Sequence, residues 1–290
     1  MKRSYSLERL VFTLPFLIPL TAFWIVPLLG SIGISLTDWD YISESINFVG
    51  LDNYVDILTH PDFLRSVANT FAFGFGTIVP SIAMGLAFAL LLQRNGPLEK
   101  AYQTLFFLPY ITPTVAVALI WSWIYDPERG FANHILALFG MAPLKWLQSS
   151  DTAMLAVIIF TIWKSTGWAL IFYLGALRRI PRSIYEAAAI DGAGGVRKFF
   201  HITLPALSPT TYFLLIVNLI SSIQVYDQIQ IMTQGGPGGA TTTLMYLYYQ
   251  KAFQKFQMGP ASVVALVTLL LALVLSALSS KLGEKHVHYF

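Results

Sequence analysis

The stretch that decides the fold lies near the carboxyl end, where residues 261–278 read ASVVALVTLLLALVLSAL. None of these residues is charged. A helix of about 20 mostly apolar residues crosses the ~30 Å hydrocarbon core of a bilayer, so this stretch predicts a transmembrane helix. The sequence predicts an all-α polytopic membrane protein, with six spans in one transmembrane domain over residues 1–290. The other five mostly apolar stretches are residues 10–34, 67–92, 104–125, 153–177 and 209–226.

The composition of the whole chain agrees with this class. Of 290 residues, 56% are hydrophobic and only 11% are charged, and the mean hydropathy is +0.63. Soluble domains carry about a quarter charged residues, so a soluble globular fold and intrinsic disorder are both excluded. The absence of cysteine excludes a disulfide-stabilised secreted scaffold. The net charge of +3 is small and dispersed, so we expect no nucleic-acid partner.

The distribution of basic residues predicts the orientation of the spans. If the amino terminus is cytoplasmic, twelve basic residues fall in inner segments and five in outer segments. Cytoplasmic loops of membrane proteins carry the excess of lysine and arginine, so both termini are predicted in the cytoplasm. The inner set is Lys2, Arg3, Arg9, Arg94, Lys100, Arg178, Arg179, Arg182, Arg197, Lys198, Lys281 and Lys285; the outer set is Arg65, Arg129, Lys145, Lys251 and Lys255. The first run, residues 10–34, is longer than the ~7–15-residue core of a signal peptide and predicts an uncleaved span.

The cytoplasmic segment between spans four and five carries its own local structure. Residues 179–205 read RIPRSIYEAAAIDGAGGVRKFFHITLP. Ser183 and Glu186 have the spacing of a capping box, which predicts a short helix ending at a left-handed Gly192. A second helix is expected over residues 196–202, stopping before Pro205. Connections in helical bundles are commonly ~2–8 residues long, and the segment over residues 179–205 is several times longer. The residues alone leave two readings open, a capped connector or a docking element.

The motif in this segment resembles a known family. Glu186-Ala-Ala-Ala-Ile-Asp-Gly-Ala193, followed by Phe199, Ile202, Leu204 and Pro205, is similar to the EAA loop of the membrane subunits of ABC importers. Other segments resemble the carbohydrate-uptake branch, that is, the maltose-type and glycerol-3-phosphate-type permeases. These segments are Phe48-Val-Gly-Leu-Asp-Asn-Tyr54, Leu108-Pro109-Tyr110, Gly130 with Asn133, Trp163-Lys164, Gly235-Gly-Pro237 and Ala252-Phe253.

The resemblance implies one subunit of a heteromeric importer in the plasma membrane, surrounded by lipid. Such a permease would move a sugar or sugar-like solute inwards by alternating access. The implied partners are a second permease subunit, two ATPase subunits that bind ATP and Mg, and an extracytoplasmic solute-binding protein. By matching positions, the contact with the ATPase would be formed by Glu186, Ala187, Ala188, Asp191, Gly192 and Ala193.

Several chemical motifs are absent from the sequence. There is no Gly-x-x-x-x-Gly-Lys-Ser/Thr segment, so ATP hydrolysis is not expected in this chain. The glycine-rich residues 235–239 lack the lysine and predict an outer turn. There is neither a His-Glu-x-x-His spacing nor a cysteine ligand, so no metal site, cofactor site or catalytic residue is expected.

Polar residues inside the spans are candidates for a solute path, because such residues usually face a bundle interior or a wet pathway. Lys164 interrupts span four beside Trp163. Asn218, Ser222 and Tyr226 follow one another at intervals of four on span five. Two alternatives remain for these residues, a snorkelling lysine and hydrogen bonding between helices.

Two other function classes compete with an importer subunit. An ion-coupled secondary transporter or channel would need no EAA loop, and no internal duplication of the kind such transporters carry is evident. An integral membrane enzyme would need a convergent set of acids, bases or metal ligands. The segment from Ser183 to Pro205 favours the importer.

Overall fold

The computed structural model describes residues 4–93 and 99–286. Within these ranges the chain forms helices and no β-strand, apart from an isolated bridge between Thr37 and Phe48. The predicted all-α class is therefore confirmed. The α-helices are α1 (Ser4–Leu20), α2 (Val26–Ser35), α3 (Asp52–Thr59), α4 (Pro61–Leu92), α5 (Glu99–Ile111), α6 (Thr114–Ile124), α7 (Phe131–Leu138), α8 (Ala153–Leu177), α9 (Arg182–Ile190), α10 (Gly195–Lys198), α11 (Leu204–Ala206), α12 (Ser208–Ile223), α13 (Asp227–Met232), α14 (Leu244–Tyr249) and α15 (Met258–His286). Trp146–Gln148 is a 3₁₀ turn, and Thr21–Ile25, Phe199–Thr203 and Gln250–Gln254 are π-helical.

Four of the described helical stretches are long and apolar enough to cross a membrane by themselves: Val11–Ser35, Pro61–Leu92, Ala153–Leu177 and Met258–Lys281. Two more pass the same test only as bent pairs, Lys100–Ile111 with Thr114–Ile124 and Gly195–Ala206 with Ser208–Ile223. Six spans are reached when each bent pair counts as one. Of the basic residues used for the orientation, Lys2, Arg3 and Arg94 lie outside the described residues.

The third predicted span, residues 104–125, is a bent pair of helices rather than one straight helix. The chain bends by 97° between α5 and α6. The cause is a pair of prolines four residues apart. Pro113 has no N–H to donate to the Pro109 carbonyl, which would be its partner in a continuous helix. Pro113 takes an extended conformation, with φ −53° and ψ 125°, and the helix restarts at Thr114.

The fifth span also differs from its predicted bounds of 209–226. Helix α12 begins at Ser208 after a 59° bend, because Pro209 cannot donate to the carbonyl of Pro205. It ends at Ile223, and Tyr226 has φ −140° and ψ −55°, which is outside the helical region. The Thr243 hydroxyl donates to the Val225 carbonyl at 3.1 Å and holds the chain in this new direction.

Two details of the cytoplasmic segment need correction. Helix α9 begins at Arg182, directly after an extended Pro181, and its amino end has no side-chain cap. The capping box is therefore wrong, since Ser183 already lies inside the helix. The second helix does not stop before Pro205. It continues as α10, a π-helical turn and α11, and in the π-helical turn Leu204 donates to the Phe199 carbonyl. In this π-helical register the helix can continue past Pro205, which has no N–H to donate.

The contacts divide the chain into two units, of which the first comprises residues 1–63 and 247–269. The most apolar part of its first helical stretch, Val11–Ser35, has no buried residue. The amide of Asn53 donates to the carbonyls of Ser35 and Thr37, both at 2.8 Å. Hydrogen bonds from Asn47 hold the pKa of the Asp38 carboxyl below its ordinary value of 3.8. These bonds fix the start of the loop that follows α2.

The second unit comprises residues 64–246 and 270–290, and α8 lies in its core. Leu170 and Tyr173 of α8 are fully buried. Two glycines allow close helix packing here. A Cβ added at Gly167 would collide with the Phe106 carbonyl oxygen of α5, and one at Gly85 of α4 would collide with Ala169. Small residues let the backbones of membrane helices approach in this way.

Candidate functional site

The turn after α9 has the geometry of a helix-ending Schellman motif. The Ala193 amide donates to the Ala188 carbonyl at 2.8 Å, and the Gly192 amide donates to the Ala189 carbonyl at 3.1 Å. Gly192 has φ +77°, the left-handed conformation expected from the sequence. Glycine adopts this conformation without the steric cost that a Cβ brings.

The residues around this turn are accessible. Glu186, Ala187, Asp191 and Gly192 are exposed, and Ala188 and Ala193 are half-buried. Apolar side chains also project outwards beside them, with Ile190 88% exposed and Val196 75% exposed. These two apolar side chains therefore lie at the surface beside the turn, among exposed polar residues.

One hydrogen bond fastens α9 to the helix that follows. The Tyr185 hydroxyl pairs with the hydroxyl of Thr203 at 2.8 Å, and Thr203 is buried. Helix α9 and the π-helical turn are thus linked by side chains as well as by the peptide chain. The segment is therefore a folded helical element rather than an open loop.

A second candidate site is a polar cavity of about 140 Å³ between α4, α5, α6, α8, α12 and α13. It brings together Lys164, Asn218 and Ser222 of the predicted solute path. Lysine 164 supplies the only formal charge among the residues that line it. The lining is Phe73, Thr77, Ser81, Tyr110, Thr114, Phe160, Thr161, Lys164, Ser165, Asn218, Ser221, Ser222 and Gln228.

The other two residues of the predicted path lie elsewhere. Trp163 lines a separate, apolar hollow and packs against Trp121, with ring centroids 5.2 Å apart. Tyr226 stacks on Tyr246 at 6.3 Å, and because α12 ends before it, it does not continue the row of Asn218 and Ser222.

Polar groups in the cavity are bonded partly to their own helices. The Asn218 amide donates to the Leu214 carbonyl at 2.7 Å, and the Ser222 hydroxyl donates to the Leu219 carbonyl at 2.8 Å. The Gln228 amide donates to the Thr161 hydroxyl at 3.4 Å. The Ser81 hydroxyl is buried and has no hydrogen-bond partner among the described residues. The cavity therefore combines satisfied groups with one that is left to bond water or a solute hydroxyl.

Lys164 has three bonds of its own. Its ammonium donates to the backbone carbonyls of Pro109 at 2.9 Å, Tyr110 at 3.1 Å and Thr112 at 2.7 Å. All three acceptors lie at the break between α5 and α6. The ammonium is therefore attached to the break rather than extended into open space.

Sequence reasoning missed the contribution of α4 and α13 to this cavity. Thr77 and Ser81 stand four residues apart on α4, a spacing that places both on one helix face and that could have been noticed. Gln228 carried no such signal, because α13 is a short helix that depends on the turn after Ile223. Among the described residues, no group of three or more His, Cys, Asp or Glu side chains is placed to hold a metal ion.

Comparison with known proteins shows the family to which the chain belongs. Residues 81–285 match the family described as binding-protein-dependent transport system inner membrane component. The chain belongs to this family. It is therefore a multi-pass inner-membrane permease, and the family assignment favours the importer over an ion-coupled transporter or channel.

Relatives with known names cover nearly the whole permease. It is 36% identical over 278 residues to the sn-glycerol-3-phosphate transport system permease protein UgpA of Escherichia coli O157:H7, covering 95% of this chain and 93% of that one. It is 35% identical over 275 residues to the trehalose/maltose transport system permease protein MalF of Thermococcus litoralis, covering 93% and 92%. It is 34% identical over 273 residues to the probable ABC transporter permease protein YurN of Bacillus subtilis, covering 92% and 94%.

A solved structure has a similar fold. A chain of the bacterial alginate ABC transporter, crystallised in complex with its alginate pentasaccharide-bound periplasmic protein, has a TM-score of 0.81 to the permease. The identity is 25%, and the match covers 98% of this chain and 96% of that one.

Proposed function

We propose that this permease carries a sugar or sugar-like solute from an extracytoplasmic binding protein into the cytoplasm by alternating access. The relatives named above transport sn-glycerol-3-phosphate and trehalose or maltose, and the structural neighbour imports alginate. The chemistry of the residues that line the polar cavity suits such a solute. Hydroxyl and amide groups on α4, α8 and α12 can exchange hydrogen bonds with solute hydroxyls, while Phe73 and Phe160 add apolar surface to the lining.

ATP hydrolysis takes place in partner subunits in this proposal. Two ATPase subunits bind ATP and Mg, and a second permease subunit completes the path. The observation that carries the coupling role is the structured, exposed turn at Gly192, with apolar side chains projecting beside it. Glu186, Ala187, Ala188, Asp191, Gly192 and Ala193 form the contact, and a helix fixed at its carboxyl end transmits movement better than a mobile loop. Both termini lie on the same cytoplasmic side as this turn.

Purification of the assembled complex tests the proposal. The tagged chain, extracted in mild detergent from the membranes of a cell that makes the whole system, should bring with it a second permease and an ATPase. Reconstituted vesicles should then take up solute when supplied with ATP and binding protein. Uptake should persist when an ionophore collapses the ion gradients.

The solute is identified on the binding protein, which can be screened with maltose, trehalose, glycerol-3-phosphate and alginate oligosaccharides. Uptake that needs an ion gradient and no ATP would contradict the proposal. So would a chain that purifies alone from membranes in which the ATPase is present.

A further inference from the structure

The broken third span leaves backbone carbonyls at the carboxyl end of α5. In a continuous helix the Pro109 carbonyl would accept a bond from residue 113, but that residue is a proline and has no N–H. The Tyr110 and Thr112 carbonyls lie at the end of α5 and in the break itself. A backbone carbonyl without a hydrogen-bond partner is costly inside a membrane, so groups at such a break need partners.

The ammonium of Lys164 supplies these partners. A lysine ammonium has three N–H donors, and here there are three carbonyl acceptors between 2.7 and 3.1 Å away. The carboxyl end of a helix also carries partial negative charge, which favours a cation. A charged side chain within a span is costly unless it is paired, so the break and the lysine stabilise each other.

The lysine belongs to a larger attachment between α8 and α5. Gly167 lies one turn after Lys164 on the same face of α8 and allows the backbone at Phe106 to approach closely. Trp168, four residues after Lys164, stacks on Tyr110 of α5 with ring centroids 4.8 Å apart. Gly167 and Trp168 hold the body of α5. Lys164 reaches further and holds the break as far as Thr112.

The break between α5 and α6 orients part of the wall of the polar cavity. Tyr110 stands just before it and Thr114 just after it, and both line the cavity. Helix α6 also packs on α13, which contributes Gln228. The angle between α5 and α6 therefore decides where one wall of the cavity lies.

We infer that Lys164 is a positioning residue for transport: it fixes the bend between α5 and α6 and with it the cavity wall. The ends of broken helices in membrane transporters often coordinate cations, and here the ammonium of the chain itself occupies that position. The transport consequence rests on the proposed function, whereas the structural role does not.

The test uses a cysteine reporter, which is clean because the chain has no cysteine. Ala118 lies on α6 just beyond the break and is fully buried. The cysteine introduced by Ala118→Cys should react slowly with a water-soluble maleimide in membranes that contain the whole complex. In that background Lys164→Met removes the three donors. Losing a hydrogen bond to a charged group shifts a local opening equilibrium by about tenfold or more, so the labelling rate should rise by at least that factor.

Two comparisons make the result specific. Lys164→Arg retains charge and donors, so its labelling rate should lie nearer to the parental rate than that of Lys164→Met. Lys145→Met removes an ammonium from an exposed residue outside the spans and should leave the rate unchanged. If the Met variant does not accumulate in the membrane, Lys164→Gln takes its place. Gln keeps N–H donors and lacks the charge, so its rate should lie between the parental rate and that of the Met variant.

The inference would be overturned if the cysteine in the Met or Gln variant reacted at the same rate as in the Ala118→Cys protein with Lys164 intact. It would also be overturned if the Arg variant reacted as fast as the Met variant. Uptake measured alongside should fall in Lys164→Met together with the faster labelling. A fall in uptake with parental labelling would mean that the ammonium contacts the solute directly. Labelling needs neither ATP nor solute. A failure of the unmodified chain to take up sugar would therefore count against the proposed function and leave the labelling result standing.

Discussion

Replacing Gly192 by valine tests whether the left-handed turn after α9 couples ATP hydrolysis to transport. Nothing lies within 4 Å of the position that a Cβ would take at Gly192, so a larger side chain meets no steric clash. The effect of the substitution must therefore come from the backbone, whose φ is +77°. A residue with a Cβ loses ~1–2 kcal/mol in this conformation, and a β-branched residue lies at the upper end.

That free energy translates into the population of the turn. A change of ~1–2 kcal/mol alters an equilibrium ratio by about five- to thirtyfold, so the Schellman geometry in Gly192→Val should lose population to other conformations by that factor. The bonds from Ala193 to Ala188 and from Gly192 to Ala189 would be lost with it. We expect solute transported per ATP hydrolysed to fall severalfold in reconstituted vesicles, while insertion and assembly remain normal.

Two variants separate backbone conformation from bulk. Gly194 is also open to a Cβ, but its φ is −71°, so Gly194→Val adds the same side chain without the conformational cost. Gly192→Asn adds a side chain that tolerates the left-handed region. Both should retain more coupling than Gly192→Val. Normal coupling in Gly192→Val, or equal damage in all three variants, would refute the reasoning.

Three further results are expected. A cysteine introduced by Ser4→Cys or Ser280→Cys should react with an impermeant reagent only from the cytoplasmic side, and labelling from outside in intact cells would reverse the predicted orientation. Asn218→Leu should reduce uptake at equal assembly because it removes an amide from the cavity, whereas Ile220→Leu on the other side of α12 should not; equal uptake in the two would make the polar row a packing feature. The lowered pKa of Asp38 means that its bonds to Asn47 stabilise the loop above pH 3.8 and are lost as the pH falls further. Relative to an unstructured peptide substrate at the same pH, pepsin should therefore cut this loop faster below that pH, and the change should be smaller in Asp38→Asn, where only Asp40 keeps a carboxyl with a lowered pKa.

Local chemistry explains which parts of the fold could be predicted from the sequence. The apolar runs predict membrane helices because the bilayer requires length and hydrophobicity from each span separately. Gly192 was predictable because an Asp-Gly pair after a run of alanines is a common way to end a helix. These features depend on neighbouring residues alone.

The errors have equally local causes. Pro109 and Pro113 are visible in the sequence. Because their neighbours are apolar, the whole segment is hydrophobic enough to be predicted as one span. The capping box failed because Pro181 started the helix two residues earlier, which left Ser183 without a terminal N–H to bond. In both cases a proline outweighed a pattern that was otherwise correct.

The cavity depends on distant contacts and could be predicted only in part. Lys164, Asn218 and Ser222 stood out as polar residues within apolar runs. That they share one cavity with Ser81 and Gln228 follows from how four or more helices pack, which periodicity within one helix does not reveal. The excursion of Tyr226 from the row likewise depends on a bond from Thr243, seventeen residues further along the chain.

The first helical stretch has a consequence for how this protein is made. The apolar window within Val11–Ser35 has no residue buried by the rest of the chain, so we expect its insertion to depend on its own hydrophobicity rather than on contacts with the later helices. We expect this helix to insert into the membrane during synthesis before the later helices are made. Because the side chains of this window are not packed inside the protein, we expect the helix to require hydrophobic residues but no particular ones. Neutral exchanges among leucine, isoleucine, valine and phenylalanine should accumulate in this helix faster than in α8.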